Sequence, residues 1–311
     1  VRVGTDRQAG AGAHDDGAHD THDLHGRAAN AARSDAGTAG FDAMSEAAAL
    51  PPPPVGGARY HVWLFAPVEA RDALAALLTI ERELDDSARP SLDHGVAHAR
   101  LEWWGEEVAR LVAGTPRHPA TRALARAADA AGIAAGDRPA LAPLVESARW
   151  RLAQVAFENR GELQLSFASW SRSLFAAACQ LAMPAESRSA QLQASVDAFA
   201  HEAGDAIREI ESLLHAARLA RLGQLPLPLD ELAAAGCGHE LLATAPWPQP
   251  LAALLRSRYV ACSTSLSAAA EALPATQRDA VRTGLIWAAA AAEQARAAVA
   301  ALPNEYAAPR F

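Results

Sequence analysis

Apolar and polar residues follow each other along most of the chain with the period of an amphipathic α-helix. From Tyr60 onward apolar residues recur at spacings of three and four, as in Leu74, Leu77 and Leu78, and this spacing predicts helices. No alternating run lasts long enough to predict a strand. Prolines and glycines interrupt the pattern and leave about eight helices, several longer than roughly 20 residues. The pattern predicts an all-α fold, a single large helical bundle over 58–302 around a central cavity.

The composition changes at both ends of this helical region. Residues 1–57 are rich in Gly, Asp and His and poor in large apolar residues, so they cannot bury enough surface to offset the entropy of ordering. They end in PPPPVGG, a stiff polyproline stretch before a flexible hinge. We expect a disordered Gly/Asp/His/Pro-rich tail over 1–57 and a short C-terminal tail over 303–311. The first methionine is Met44, and we expect residues 1–43 to come from a translation start assigned too early.

Charge and cysteine content exclude several classes of protein. The net charge of −8 argues against a nucleic-acid partner, because such binders carry a basic face. Three cysteines stand far apart without a CxxC spacing, which predicts neither a zinc site nor a disulfide framework and fits a reducing compartment. The most apolar run, LIWAAAAA, is far shorter than the ~20 residues of a membrane span. We expect a cytoplasmic protein, and peripheral attachment to the inner face of the membrane stays open.

The stretch LTIERELDDSARP ends an apolar helix with two adjacent aspartates, Asp85 and Asp86. Arg82 precedes them by one turn and Arg89 follows them. Spacings of four and three join Arg82, Asp86 and Arg89, so these side chains can form a surface ion ladder worth a few tenths of a kcal/mol per pair. Paired aspartates behind an arginine can instead bind a magnesium–diphosphate complex. The stretch by itself leaves both interpretations open.

Three stretches, in a fixed order, carry a recognisable pattern over most of residues 60–240. They are YHVWLFAPVEARDALAALLTIERELDD, ARLEWWGEEVARLVAGTPRHPATRALA and RLGQLPLPLDELAAAG. Together they resemble the squalene/phytoene synthase family. The resemblance implies an isoprenoid-synthase-like bundle around a central apolar cavity. It also implies a transferase of isoprenoid biosynthesis, which condenses two prenyl diphosphates head to head.

The resemblance gives roles to the residues of the first aspartate motif. Asp85 and Asp86 match its two leading aspartates, which implies Mg²⁺ ligands. Arg82 matches the arginine before the motif, which implies a contact with the substrate diphosphate. Mg²⁺ is therefore the cofactor implied for an active enzyme. Arg89 stands where the family has a further acidic residue, and this reverses a charge at a site that should gather cations.

The second aspartate motif of the family has no acidic match in this chain. Its pattern N-x-x-R-D-x-x-E-D falls on Glu211, Leu214, His215, Arg218 and Leu219. None of the positions that should be acidic is acidic here. Upstream on the same helix, Glu202, Asp205 and Glu209 share one face and offer replacement carboxylates. The family's glycine-containing helix carries a pair of small residues, and Arg172 and Ser173 stand near that position here. Their bulk and charge are expected to narrow the cavity.

Three functions remain open from the sequence. The first is a working prenyl transferase, which would need a second metal cluster. The second is a non-catalytic family member that acts as a respiratory complex assembly factor, with membrane-complex subunits as partners. The third is a lipid-binding protein that holds a prenyl diphosphate or another lipid without turnover. The missing second motif favours a protein that has lost full activity, and no catalytic residue is assigned.

Overall fold

The computed structural model describes residues 50–307 except 90, 135, 137, 154 and 155. Over these residues the chain forms twelve α-helices and no strand, which confirms the all-α prediction. The first 49 residues of the predicted N-terminal tail and residues 308–311 lie outside the described residues, so the domain boundaries stay predictions. In the described part of the chain no helix combines the length and the apolar character needed to cross a bilayer.

The described residues form more helices than the eight predicted. Turns divide two long helical stretches: the π-helical turn Ser171–Phe175 lies between α6 (Arg160–Trp170) and α7 (Ala176–Ala182), and His215 lies between α8 (Ala190–Leu214) and α9 (Ala216–Arg221). Among the described helices only α8, with 25 residues, and α11 (Gln249–Ala272), with 24 residues, exceed 20 residues. In chain order the helices are α1 Ala58–Phe65, α2 Arg71–Ser87, α3 His94–Val112, α4 Pro119–Ala130, α5 Ala142–Leu152, α6 Arg160–Trp170, α7 Ala176–Ala182, α8 Ala190–Leu214, α9 Ala216–Arg221, α10 Leu229–Ala234, α11 Gln249–Ala272 and α12 Arg282–Ala301.

Helix α8 is the central element and packs against α6, α11, α12 and the π-helical turn. Its inward face repeats apolar residues at spacings of three and four, as the sequence pattern predicts. All of them are buried: Leu192, Val196, Phe199, Ala203, Ile207 and Ile210. Gly204 lies where α8 meets the π-helical turn, and a Cβ there would lie 2.4 Å from the Cβ of Ser171. Only glycine allows this close approach of two backbones.

The structure corrects the prediction that Arg172 and Ser173 narrow the cavity. Arg172 is exposed, and Ser173 is buried in the packing of the π-helical turn. Neither contributes to the described wall of the cavity. The prediction was wrong because the π-helical turn changes the direction of successive side chains, which a regular helical pattern does not foresee.

Aromatic side chains fill the core between the π-helical turn, α8 and α12. The Trp287 ring lies 5.7 Å from that of Trp170 and 5.5 Å from that of Phe175, edge-on in both cases. Phe175 in turn lies 5.7 Å from Phe199. Edge-to-face contacts of this kind are favourable beyond the area they bury. These rings pack together beside α8, and the cavity described below opens at one end of the bundle.

All three cysteines are buried free thiols: Cys179, Cys237 and Cys262. Burial raises the pKa of the Cys179 thiol to about 12, so this thiol stays protonated near neutral pH. Its apolar surroundings make it a small core side chain.

Glu107 is a buried carboxylate of α3 that holds the loop before α4. Its Oε1 accepts hydrogen bonds from the backbone N–H groups of Arg117 and His118, at 2.7 and 2.8 Å, and from Thr121 Oγ1 at 2.5 Å. Its Oε2 accepts one from Arg110 Nε at 2.8 Å. Burial alone would raise the pKa of Glu107, but these hydrogen bonds, led by that of Thr121, hold it below its usual value. The carboxylate therefore fixes the loop TPRHP on the bundle.

We expect Glu107→Gln to lower the free energy of unfolding by about 2 kcal/mol, because the amide loses charge-assisted hydrogen bonds and leaves buried donors poorly paired. Because the pKa of Glu107 is lower in the folded protein, its ionisation stabilises the folded state at pH values above the unfolded-state pKa, about 4.3. This stabilisation is lost as the pH falls through the folded-state pKa. Urea unfolding should therefore show a smaller difference between the variant and the unmodified protein below about pH 4.

Glu106→Gln is the matched control on the same helix. Its carboxylate is exposed and contacts Arg110 Nη1 at 3.1 Å, and such surface pairs contribute at most about 1 kcal/mol. Equal losses for both variants would contradict the structural role assigned to Glu107.

Candidate functional site

A cavity of about 680 Å³ opens at the end of the bundle where α2 and α8 finish. Segments of α5, α6 and α9 complete its wall. Among the described residues three carboxylates line it: Asp85, Asp86 and Glu211. Six arginines line it: Arg59, Arg82, Arg89, Arg151, Arg208 and Arg218. The charged part of this wall therefore carries six positive charges against three negative ones, which makes it strongly cationic in a protein of net negative charge.

The structure brings the residues of the two predicted motifs to the same cavity. Arg82, Asp85 and Asp86 line it from the end of α2. The five positions on which the second motif falls line it from α8 and α9: Glu211, Leu214, His215, Arg218 and Leu219. The two stretches therefore meet at one opening, to which the second contributes Glu211, His215 and Arg218. The roles predicted for Arg82, Asp85 and Asp86 stay predictions.

Asp85 is engaged by an arginine of another helix. Its Oδ1 lies 2.5 Å from Arg151 Nη2 of α5. Burial alone would raise the pKa of Asp85, but the charges of Arg151, Arg208 and Arg59 hold it below the usual value. The group is therefore a carboxylate near neutral pH, and its charge is already neutralised by protein side chains.

The surface ladder predicted for Arg82, Asp86 and Arg89 forms only in its second half. Asp86 Oδ1 lies 3.3 Å from Arg89 Nε, and both side chains are well exposed. Arg82 has neither a hydrogen bond nor an ion pair with any described residue. Its guanidinium group is exposed at the cavity. The structure therefore leaves Arg82 available for a ligand.

Arg59 of α1 joins two acidic residues that are far apart in sequence. It donates to Glu81 from Nε at 2.6 Å and from Nη2 at 2.5 Å, and to Glu211 from Nη1 at 2.9 Å. Glu81 also accepts a hydrogen bond from Trp170 Nε1 at 2.9 Å. The carboxylates of Glu81 and Glu211 are thus committed to protein partners.

Sequence reasoning missed Arg59, Glu81, Arg151 and Arg208. One signal was present for Glu81, because it stands between Leu78 and Leu84 on the apolar face of α2, where a charge needs a partner. No local pattern indicates which arginine supplies that partner.

Arg208 is a buried cation of the cavity wall with only a weak ion pair. Its Nη1 lies 3.5 Å from Glu211 Oε2, a long contact, and its guanidinium group lies 5.4 Å from the centre of the Trp170 ring. Burial, followed by the neighbouring charge of Arg151, lowers the pKa of Arg208. Guanidinium groups this crowded favour the arrival of a negatively charged ligand.

The donor set of the cavity does not fit a magnesium ion. Magnesium requires oxygen ligands in a near-octahedral arrangement, of which a protein usually supplies one or two carboxylates beside water and substrate phosphate. Here Asp85, Asp86 and Glu211 each bind an arginine. Within the described part of the chain, no group of three or more His, Cys, Asp or Glu residues could hold a metal ion. A magnesium site would require these ion pairs to break.

The upstream carboxylates do not supply the missing cluster. Glu202 is exposed, Asp205 accepts a hydrogen bond from Ser171 Oγ at 2.5 Å, and Glu209 is buried between two arginines. None of the three belongs to the described wall of the cavity. The replacement considered from the sequence is therefore wrong in position, because α8 reaches the described cavity wall through other residues: Arg208, Glu211, Ser212 and Leu214.

Comparison with known proteins gives the fold a context. Residues 54–310 match the family model described as squalene/phytoene synthase. The crystal structure of a dehydrosqualene synthase in complex with ligand is similar over 80% of this chain and 84% of that chain, with 16% identity and a TM-score of 0.63. Squalene synthase HpnC from Alicyclobacillus acidocaldarius is similar over 76% of this chain and 86% of that chain, with 16% identity and a TM-score of 0.58. No curated protein matches the chain. At these identities the structural likeness shows the fold alone.

Proposed function

This chain belongs to the squalene/phytoene synthase family, and from that premise we propose that it binds a prenyl diphosphate in the cavity at the ends of α2 and α8. The observation that carries the proposal is that the cavity wall combines six arginines with a set of apolar side chains. A diphosphate group suits the arginines, because guanidinium groups bind phosphate oxygens in pairs.

The apolar residues of the cavity wall offer a surface for the hydrocarbon chain. They are aromatic and aliphatic side chains from α5, α6, α8, α9 and the adjoining loops: Trp150, Phe157, Leu163, Phe167, Leu214, Leu219 and Leu222. Trp150 and Leu222 are 39% and 38% exposed, so the apolar surface continues to the opening. An apolar chain that covers these side chains removes them from water, which favours binding.

The size of the cavity supports one ligand at a time. Its volume of about 680 Å³ lies within the ~300–1,000 Å³ typical of sites for a single small molecule. Because the core beyond it is filled by Trp170, Phe175 and Trp287, the chain of the ligand extends along α6 and α9 and not through the centre of the bundle.

We expect Trp150→Ala to weaken the binding of farnesyl diphosphate by about tenfold, because an aromatic contact worth roughly 1–2 kcal/mol is lost. Isothermal titration calorimetry with farnesyl diphosphate and with inorganic pyrophosphate measures the two parts of the site separately. The affinity for pyrophosphate should stay unchanged.

Trp103→Ala is the matched control for this experiment. Trp103 is 40% exposed, close to the value of Trp150, but it lies on α3 away from the described cavity wall. We expect this variant to bind both ligands normally. Equal losses in the two variants, or no binding of farnesyl diphosphate to the unmodified protein, would refute the proposed function.

The proposal includes binding without condensation. The carboxylates at the opening, Asp85 and Asp86, are paired with Arg151 and Arg89 and cannot also gather the metal ions that activate a diphosphate leaving group. Incubation with farnesyl diphosphate, Mg²⁺ and NADPH should yield neither hydrocarbon nor released diphosphate. Robust product formation would show that these pairs open during turnover.

A further inference from the structure

We infer that the phosphate groups of the ligand are held directly by arginine side chains, led by Arg82, Arg208 and Arg218, and that binding needs no divalent metal ion. The inference rests on the proposed function for the identity of the ligand, since it concerns the same cavity. Beyond the identity of the ligand, it names the groups that neutralise the phosphate charge. These are guanidinium groups of the protein, in place of divalent metal ions that would bridge phosphate and carboxylates.

The described wall of the cavity carries an excess of positive charge. Six arginines and three carboxylates line its described wall. Glu81 lies behind Arg59 and compensates it from outside this wall. With Glu81 counted, two positive charges remain without a negative partner at the opening. A multiply charged phosphate group is the ligand that removes this imbalance.

Two arginines of the cavity wall have no partner among the described residues. Arg82 on α2 and Arg218 on α9 both line the cavity, and neither has a hydrogen bond or ion pair within the described part of the chain. Both are exposed, so their side chains can turn toward a ligand at little cost. Arg208 on α8 also lines the cavity, and its ion pair with Glu211 is long, at 3.5 Å.

The aspartates at the opening are already bound to arginines. A metal-bridged diphosphate needs free carboxylates at the opening, but Asp85 and Asp86 are each bound to an arginine, at 2.5 and 3.3 Å. A diphosphate that approaches can instead share Arg151 with Asp85, because a guanidinium group has five N–H donors. Direct binding therefore uses the groups as they already stand, whereas a metal ion would have to displace arginines from aspartates.

The test measures pyrophosphate and farnesyl diphosphate binding to the full chain by calorimetry, once in EDTA and once in Mg²⁺, with protein and ligand solutions equilibrated in the same buffer. We expect both ligands to bind in EDTA, with a Kd no larger than in Mg²⁺, because Mg²⁺ competes with the arginines for phosphate oxygens. Added NaCl should weaken binding, since charge pairs at an opening are screened. Binding of both ligands only in Mg²⁺ would overturn the inference.

Arginine variants locate the binding groups. Arg82→Gln and Arg218→Gln should each raise the Kd for pyrophosphate in EDTA by about tenfold, because each removes charge-assisted hydrogen bonds. Both residues are exposed and unpaired among the described residues, so the variants keep the fold, which circular dichroism and a thermal melt verify. Arg172→Gln is the matched control, because Arg172 is exposed and lies away from the described cavity wall; its Kd should not change. Equal Kd values in all three variants would overturn the inference.

The outcomes separate the inference from the proposed function. Farnesyl diphosphate that binds only with Mg²⁺ would leave the proposed function standing and refute direct binding by arginines. Pyrophosphate that binds in EDTA, with no gain in affinity from the farnesyl chain, would support the arginine site and refute the prenyl ligand. No binding of either probe in either buffer would refute both.

Discussion

Glu209→Ala should lower the free energy of unfolding by about 3–5 kcal/mol, the cost of removing one partner of a buried ion pair. Glu209 is 5% exposed. Its Oε1 accepts hydrogen bonds from Arg160 Nη1 at 2.7 Å and from Arg258 Nε at 2.8 Å. The Glu209 carboxylate therefore ties α8 to α6 and α11, and Arg160 extends the network to α10 by binding Glu231 at 2.7 Å. Without it, two largely buried guanidinium groups lose their shared negative partner.

Urea unfolding compares the free energy of unfolding of Glu209→Ala with that of the control Glu202→Ala. Glu202 lies on the same helix but is exposed, so its removal should change the free energy of unfolding by less than about 0.5 kcal/mol. Under conditions where it is folded, Glu209→Gln should bind pyrophosphate as the unmodified protein does, because Glu209 lies outside the described cavity wall. If Glu209→Ala were as stable as the unmodified protein but no longer bound pyrophosphate, the structural role of Glu209 would be contradicted. Glu209 would then belong to the binding site.

Trp287→Ala should cost about 3–5 kcal/mol of unfolding free energy, because it leaves a large cavity in a close-packed core. The Trp287 side chain is completely buried, at 0% exposure. Its ring contacts Trp170 and Phe175 edge-on and carries the Arg59 guanidinium group 5.5 Å from its centre. The variant should therefore also loosen Arg59, which enters the cavity wall next to this core. Thermal and urea unfolding measure the loss.

Trp287→Phe distinguishes the loss of volume from the loss of a polar contact. Trp287 Nε1 is buried and has no hydrogen-bond partner among the described atoms, so phenylalanine gives up no hydrogen bond and keeps a ring beneath Arg59. We expect a cost of about 1–2 kcal/mol, well below that of alanine. Similar costs for the two variants would show that the indole N–H has a partner, such as a buried water.

The helical character of this protein was predictable because the signals for it are local. The apolar period of three and four that runs through α8 appears as one continuous buried face, and Asp93 caps α3 by accepting the N–H of Val96 at 3.1 Å. Such signals involve residues within one or two turns of each other. The π-helical turn at Ser171–Phe175 was not predictable, because the contact that accompanies it is with Gly204, far along the chain.

The candidate site was predictable in location but not in charge pairing. The three stretches that resemble the family place Asp85, Asp86 and Arg218 in positions that the structure brings to one cavity. Helical spacing within LTIERELDDSARP predicted a possible ladder from Arg82 to Asp86. Arg82 instead stays unpaired among the described residues, while Asp85 binds Arg151 of α5. Spacing within a helix indicates which pairs can form, but competition from other helices decides which do.

The sequence by itself determined the all-α class and membership of the family, because periodicity and ordered motifs are properties of the linear chain. The tertiary structure alone decided which charges neutralise each other and which remain for a ligand. Arg59 and Glu211 are 152 positions apart in sequence and 2.9 Å apart in space. The energy of such a pair depends on a distance of a few ångströms and on burial, and both quantities exist only after the helices have packed.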